Sequence, residues 1–184
     1  MKAHSPDKVV ILDRDGTVVI DRGYQSDPAL LEFEPGAAAG LRLLSERGYR
    51  LIVITNQSGV GRGFFTLDQL HAMNARLNIM VESAGARLER IYFCPHAPAA
   101  DCDCRKPSLG LLKLAASELG FDPASAIVIG DKETDVEFGR RAGATTVLIA
   151  GALRAPHSST RADIVAPNLL EAAKALTSVR AAAP

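Results

Sequence analysis

Four apolar runs punctuate the chain: VVIL at 9–12, LIVI at 51–54, IVI at 127–129 and TTVLI at 145–149. Each is continuous rather than alternating, the pattern of strands buried on both faces of a parallel sheet. Between them the sequence changes to helical segments with start and stop residues. Pro35 opens one that Gly48 closes, Thr66 and Gln69 can form a capping box, Ser108 leads into LLKLAASEL before Gly120, and Asn168 with Glu171 opens the last. Strands alternating with helices predict an α/β fold, a three-layer sandwich around a parallel Rossmann-like sheet with right-handed crossovers. Ligands in such sheets bind beyond the carboxyl ends of the strands, so chemistry is expected just after each apolar run.

Composition narrows the picture. The chain has 184 residues, 47% of them hydrophobic, enough for a real core, and residues 1–184 are read as one domain without repeats or low-complexity linkers. The tail VRAAAP is expected to fray. Lysine plus arginine number 21 and aspartate plus glutamate 21, so no overall field draws in nucleic acid or an anionic membrane. The expected partner is small. The N-terminus MKAHSPDK lacks a signal-peptide core, and no run reaches the roughly 18 apolar residues of a membrane span, so a cytoplasmic protein is expected.

After the first strand comes Asp13-Arg14-Asp15-Gly16-Thr17. Residues two apart on an extended chain point the same way, so both carboxylates can face one site. One can attack phosphorus while the other, protonated, donates to the leaving oxygen and later deprotonates the hydrolytic water. A carboxylate approaching a phosphate dianion is repelled, so a divalent cation must neutralise the pair, and magnesium with a few carboxylates suits that need. A third carboxylate follows the IVI strand: Asp131 can reach the metal, and Asp135, four residues on, shares its helical face. DxDG alone is also ordinary turn composition. It is not a calcium loop, because the positions that need glycine and glutamate hold Val18 and Tyr24. Coincidence of place is what strengthens the reading: Thr55-Asn56 follows another strand, and Arg105-Lys106 supplies the positive charge a transferring phosphoryl group demands.

The three cysteines lie together, with Cys94-Pro95-His96 followed by Cys102-Asp103-Cys104. Four soft donors in one compact loop suit zinc better than a disulfide framework or plain packing. Four protein ligands close the coordination sphere, so the zinc is expected to be structural. Arg105 and Lys106 follow the last ligand directly, so zinc would anchor the backbone that aims both cations.

On these motifs, DRDGT, Thr55, Lys106 and GDKETD, the sequence resembles the haloacid-dehalogenase-like (HAD) phosphatase superfamily over most of its length. The resemblance implies that Asp13 is the nucleophile and a magnesium ligand. It makes Asp15 the general acid/base and a ligand through its backbone carbonyl, and Asp131 the remaining protein ligand. Thr55 and Lys106 would stabilise the phosphoryl group. Many members insert a cap domain, but only 39 residues lie between Asp15 and Thr55, so a capless enzyme is expected, with selectivity from loops 18–33 and 56–65.

The CxH…CxCRKP loop resembles two related families, the heptose-1,7-bisphosphate 7-phosphatases and the histidinol-phosphate phosphatases. Asp21-Arg22-Gly23-Tyr24, the run TNQSGVGRGFFT and GDK at 130–132 look more like the heptose family, whereas the five-residue gap between His96 and Cys102 matches the shorter histidinol-phosphate loops. The heptose reading is preferred. It implies release of the C7 phosphate through an aspartyl-phosphate, in making ADP- or GDP-heptose precursors of surface polysaccharide such as lipopolysaccharide, with histidinol phosphate as the alternative substrate. Asp21, Arg22, Gly23, Tyr24, Asn56, Gln57, Ser58, Arg105 and Lys132 are then the expected substrate contacts. Arg62, Arg105 and Lys132 could hold the distal phosphate, and Glu32 or Asp21 could instead meet a histidinol amine. His4, His71 and His157 read as surface residues. A receiver-like phospho-acceptor would have no use for Asp15, and a zinc nucleic-acid module would need a basic surface. Nothing in the sequence requires a partner subunit, so a monomer is expected.

Overall fold

The computed structural model describes residues 8–151 and 159–178. The expectations for His4, His157 and the C-terminal tail lie outside them.

Six strands form one parallel sheet: β1 (Val9–Leu12), β2 (Arg50–Asn56), β3 (Leu88–Cys94), β4 (Ile127–Gly130), β5 (Thr145–Ile149) and β6 (Ile164–Ala166), in the order β3-β2-β1-β4-β5-β6. The four runs read from sequence are the four inner strands. The outer two escaped that pattern for a physical reason. β3 places Glu89 and Arg90 in solvent, which breaks its apolar run, and β6 is only three residues long. In β1 the side chains split between faces: Val10 and Leu12 join one core cluster, Val9 and Ile11 the other. Both faces are covered, as a parallel sheet requires.

Over the first face lie α1 (Ala37–Glu46), α3 (Leu67–Ser83) and α6 (Leu169–Ser178), contributing Leu41 and Leu44, then Met73, Leu77 and Val81, then Leu169, Ala172 and Ala173. Over the second lie α4 (Gly110–Leu119), with Leu111, Leu112 and Ala115, and α5 (Glu133–Ala142), with Phe138. A four-residue helix, α2 (Ser58–Gly61), sits inside the glycine-rich loop. Fully burying one such Leu or Phe contributes about 1.5–3 kcal/mol, so both clusters are needed to hold the sheet.

Two helix starts match the sequence signals. Thr66 and Gln69 form the reciprocal capping box of α3, and Asn168 accepts the Glu171 N–H at 3.0 Å. A third does not: α4 begins at Gly110 after Leu109, without a side-chain cap from Ser108, because the Gly110 N–H is satisfied by the Asp103 carbonyl at 2.9 Å. Between β1 and β2 the chain forms a short 3-10 turn (Pro28–Leu30) and α1, with no additional layer over the sheet's carboxyl edge among the described residues. Among the same residues, no helix is long and apolar enough to cross a membrane.

Candidate active site

Strand order reverses direction of travel at β1, with β2 and β3 built outward on one side and β4 to β6 on the other. The carboxyl ends of β1 and β4 pair side by side at this switch, Leu12 opposite Ile129, and deliver Asp13 and Asp131 to neighbouring positions. The Asp13 N–H continues the ladder by donating to the Ile129 carbonyl at 2.9 Å. Asp135, on the first turn of α5, completes the group. Ligand oxygens of Asp13, Asp131 and Asp135 lie within 4.8 Å of one another, and all three residues are buried.

Lys106 lies between two of them. Its Nζ is 2.7 Å from Asp13 Oδ1 and 2.6 Å from Asp135 Oδ1. Burial opposes the ammonium, but the adjacent Asp13 and Asp135 carboxylates outweigh it and hold Lys106 above the ordinary lysine range. The Asp135 carboxyl is pushed up by burial and by Asp13, against the pull of Lys106. Lys106 pairs with two of the carboxylates and Lys132 Nζ lies 3.9 Å from Asp131 Oδ2, so three carboxylates meet two ammoniums and oxygen donors remain for a divalent cation. Hard oxygen donors with few protein ligands fit magnesium. Space for two of the carboxylates is cleared by glycine. A Cβ at Gly16, which has φ +83°, would lie 2.5 Å from Asp131 Oδ2, and one at Gly130 would overlap the Asp135 carboxylate.

Asp15 faces the same cleft. Gln57 Nε2 donates to its Oδ2 at 2.7 Å, and Arg14 Nε and Nη2 lie 3.0 to 3.2 Å from its oxygens. Burial raises the Asp15 carboxyl and the Asp13 charge adds to this, while Arg14 opposes both. Gln57 also donates to Thr55 Oγ1 at 2.9 Å, which leaves the buried Thr55 hydroxyl proton available to another acceptor.

A cleft of about 800 Å³ opens over these groups, lined by Asp13, Asp15, Thr55, Lys106 and Asp135 at its base. Asp21, Gly23, Tyr24, Asn56, Gln57, Ser58, Arg105 and Lys132, expected as substrate contacts, all border it. Arg105 Nη1 is buried without a hydrogen-bond partner, and Lys132 Nζ reaches Asp21 Oδ2 at 3.2 Å across the mouth. Burial disfavours the Lys132 charge, but Asp131, Asp13 and Asp21 together hold its pKa up.

One expectation needs correction, and two expected contacts that border the cleft carry further bonds. Arg22 does not line the cleft: it is exposed and paired with Glu32 at 2.6 Å, because the Asp21 side chain bonds the Gly23 N–H in a tight turn that carries residue 22 outward. Asn56 spends its amide on the chain itself, accepting the Lys106 N–H at 2.9 Å and donating to the Lys106 carbonyl at 3.1 Å. Gln57 is likewise committed to Asp15, Thr55 and Arg14. Both residues also border the cleft. The Asn56 clip also means that Lys106 is held by more than the cysteine loop. Arg62, expected as a partner for the distal phosphate, lies 5.9 Å from the Tyr24 ring, and Tyr24 stacks on Phe64 at 4.3 Å, joining the two loops at the cleft rim. His71 is exposed, edge-on to Phe93, as expected of a surface histidine.

The Cys/His loop brings its four donors together. Cys94 Sγ is 3.8 Å from Cys102 Sγ and 3.7 Å from His96 Nδ1, and Cys104 Sγ is 3.1 Å from both Cys94 Sγ and His96 Nδ1. A tetrahedral zinc with Zn–S near 2.3 Å separates its sulfurs by about 3.8 Å, so the set is compatible with zinc. Burial and the two neighbouring sulfurs push the Cys104 thiol up to about 12, an arrangement that resists ionisation unless a cation compensates it.

Among the buried polar residues, Arg14 and Asn74 were given no role in the sequence reading. Arg14 fell between two more conspicuous aspartates, and the only signal for Asn74 is its place in the apolar stripe Leu70, Met73, Leu77, Val81 of α3.

Residues 103–172 match the family model described as HAD-hydrolase-like. The chain is 35% identical over 173 residues to the D-glycero-β-D-manno-heptose-1,7-bisphosphate 7-phosphatase of Haemophilus ducreyi, covering 89% of this chain and 95% of that one. It is 40% identical over 154 residues to the Helicobacter pylori protein of the same name, covering 82% and 89%. Its fold is similar to the D,D-heptose 1,7-bisphosphate phosphatase of B. bronchiseptica complexed with magnesium and phosphate, with TM-score 0.81, 28% identity and coverage of 94% and 99%.

Proposed function

The chain belongs to the heptose-1,7-bisphosphate 7-phosphatases among the HAD-like hydrolases, and on that premise we propose that it hydrolyses the C7 phosphate of D-glycero-β-D-manno-heptose 1,7-bisphosphate. The observation that carries this reading is the Lys106 ammonium between Asp13 and Asp135, beside Asp131, at the floor of a cleft with cationic groups at its rim.

Asp13 is the nucleophile. Its free oxygen forms a bond to phosphorus as the bond from phosphorus to the sugar C7 oxygen breaks. Asp15, whose carboxyl burial raises against the pull of Arg14, passes a proton to the departing alkoxide. A water then attacks the acyl phosphate, Asp15 takes its proton back, and inorganic phosphate leaves with Asp13 restored. Lys106 and the Thr55 hydroxyl hold phosphoryl oxygens during both transfers. Asp13, Asp131, Asp135 and the Asp15 carbonyl form the donor set for magnesium, which when bound would neutralise charge that otherwise repels the dianion. Arg105, with its buried unpaired Nη1, and Lys132 receive the distal phosphate. Cys94, His96, Cys102 and Cys104 would hold a structural zinc that fixes the loop leading into Arg105 and Lys106.

The test is phosphate release from both anomers of the heptose bisphosphate, from histidinol phosphate and from fructose 1,6-bisphosphate. The β-anomer, the one carried in the relatives' names, is expected to give the highest kcat/KM. Preference for histidinol phosphate would overturn the assignment.

A further inference from the structure

Arg14 is an unusual residue to bury. It is 3% exposed, yet its guanidinium is partnered on every side. Nη1 donates to Asn74 Oδ1 at 3.2 Å, Nη2 to Gln57 Oε1 at 2.8 Å, and Nε and Nη2 to the Asp15 carboxylate. Asn74 is equally out of place. It occupies the core-facing stripe of α3 and is 8% exposed, where an apolar side chain would avoid the cost of desolvating an amide. Arg14 explains why an amide stands there.

The bonds run in one direction. Asn74 fixes one arm of the guanidinium fork, and the fork presents a donor to Gln57. That donor dictates the amide's orientation, since the flipped form would set Nε2 against Nη2. Held this way round, Nε2 has two hydrogens and two acceptors, Asp15 Oδ2 at 2.7 Å and Thr55 Oγ1 at 2.9 Å. The far end of the chain of contacts is a carboxyl at the cleft, 22% exposed, whose only rotational freedom is about its own side-chain bonds.

We infer that Asn74, Arg14 and Gln57 form a positioning chain that aims the Asp15 carboxyl at the leaving oxygen, from a helix that never touches substrate. The inference rests on the reading of Asp15 as proton donor. Asn74, Arg14 and Gln57 are positioning residues and take no part in bond making. Asn74 and Arg14 act on the proton that moves from Asp15 to the alkoxide as the bond from oxygen to phosphorus breaks, whereas Gln57 also holds Thr55.

That proton supplies the test. An alkyl phosphate needs the proton, because an alkoxide is a poor leaving group. p-Nitrophenyl phosphate does not, because p-nitrophenolate leaves as a stable anion. In Asn74→Leu, kcat on the heptose bisphosphate should fall by about 100-fold, the scale of a misplaced general acid. On p-nitrophenyl phosphate it should change by less than about threefold, with KM unaltered for both. Asn74→Asp, which keeps an acceptor for Arg14, should restore the alkyl rate to within about threefold of wild type. Should Asn74→Leu fail to fold, the smaller Asn74→Ala tests the same link and is expected to give the same split. Equal losses on the two esters, or no loss on either, would overturn the inference. If the wild-type protein ignores the heptose bisphosphate but cleaves another alkyl phosphate, the substrate reading fails, and the split is then read on that ester.

Discussion

Asp13, Lys106, Asp131 and Asp135 come from separate stretches of chain and meet because β1 pairs with β4 and because Asn56 clips the Lys106 backbone onto the end of β2. Cys94, His96, Cys102 and Cys104 lie within eleven residues and meet through one loop. The first cluster is made of hard oxygens around an ammonium and faces a cleft. The second is made of soft donors that use all four tetrahedral positions. The difference separates reactivity from support. A cation in the first would have open coordination positions for phosphate, whereas one in the second would have none and can act only through the backbone it holds.

The largest effect should come from Asp13→Asn, which leaves the fold intact and lowers magnesium-dependent phosphate release by about a thousandfold or more. Full activity in that variant would remove the nucleophile from the proposal. Next, Lys106→Met strands Asp13 and Asp135 as buried charges without their partner. Urea unfolding should show a loss of about 3–5 kcal/mol without metal, partly recovered on adding magnesium. No recovery would mean that the carboxylates do not bind the cation. Disabling the other cluster with Cys102→Ser/Cys104→Ser should lower the rate by about tenfold and lower Tm, while leaving measurable turnover. Abolished turnover in a folded protein would break the division between the clusters, and unchanged turnover would sink the supporting role.

A pH profile sharpens the picture within the first cluster. Asp15 must be protonated for the first transfer, and burial raises its folded pKa above the ordinary aspartate value of 3.8. The reactive form therefore dominates below the raised value and is lost as pH rises through it. The alkaline fall in kcat/KM should come later than a solvent-exposed aspartate would give, and Asp15→Asn should remove that limb. The smallest effect belongs to Arg22→Ala. The Arg22–Glu32 pair is 45% and 60% exposed, so stability should change by no more than about 0.5 kcal/mol, and the rate should stay within roughly twofold.

The two clusters also differ in how far the sequence disclosed them. Spacing alone assembles the thiol and imidazole donors, because a short loop leaves them little choice. Asp13 and Asp131 were legible once the apolar runs were read as parallel strands, since the residue after each strand end is placed by topology. Asp135 was legible only as a neighbour on a helix face. Its partner Lys106 lies on a distant segment, and no local pattern announces their contact. Arg14, Asn56, Gln57 and Asn74 were hidden or assigned other work because side-chain amides and guanidinium groups reveal nothing about their partners until the chain is folded. The edge strands β3 and β6 were indistinct for a related reason, being too polar or too short to leave a continuous apolar run.

Gly16 and Gly130 carry no functional group, yet each occupies a point where even one methyl carbon would enter a carboxylate of the cluster. At those two positions any side chain would force a carboxylate of the cluster to move. A survey ranking positions by tolerance to replacement should therefore put Gly16 and Gly130 level with Asp13 and Asp131. It would then credit catalysis to residues that contribute vacancy and, at Gly16, a left-handed turn. Such a ranking maps what a reaction centre needs kept empty as faithfully as what it needs filled, and chemistry alone tells the two apart.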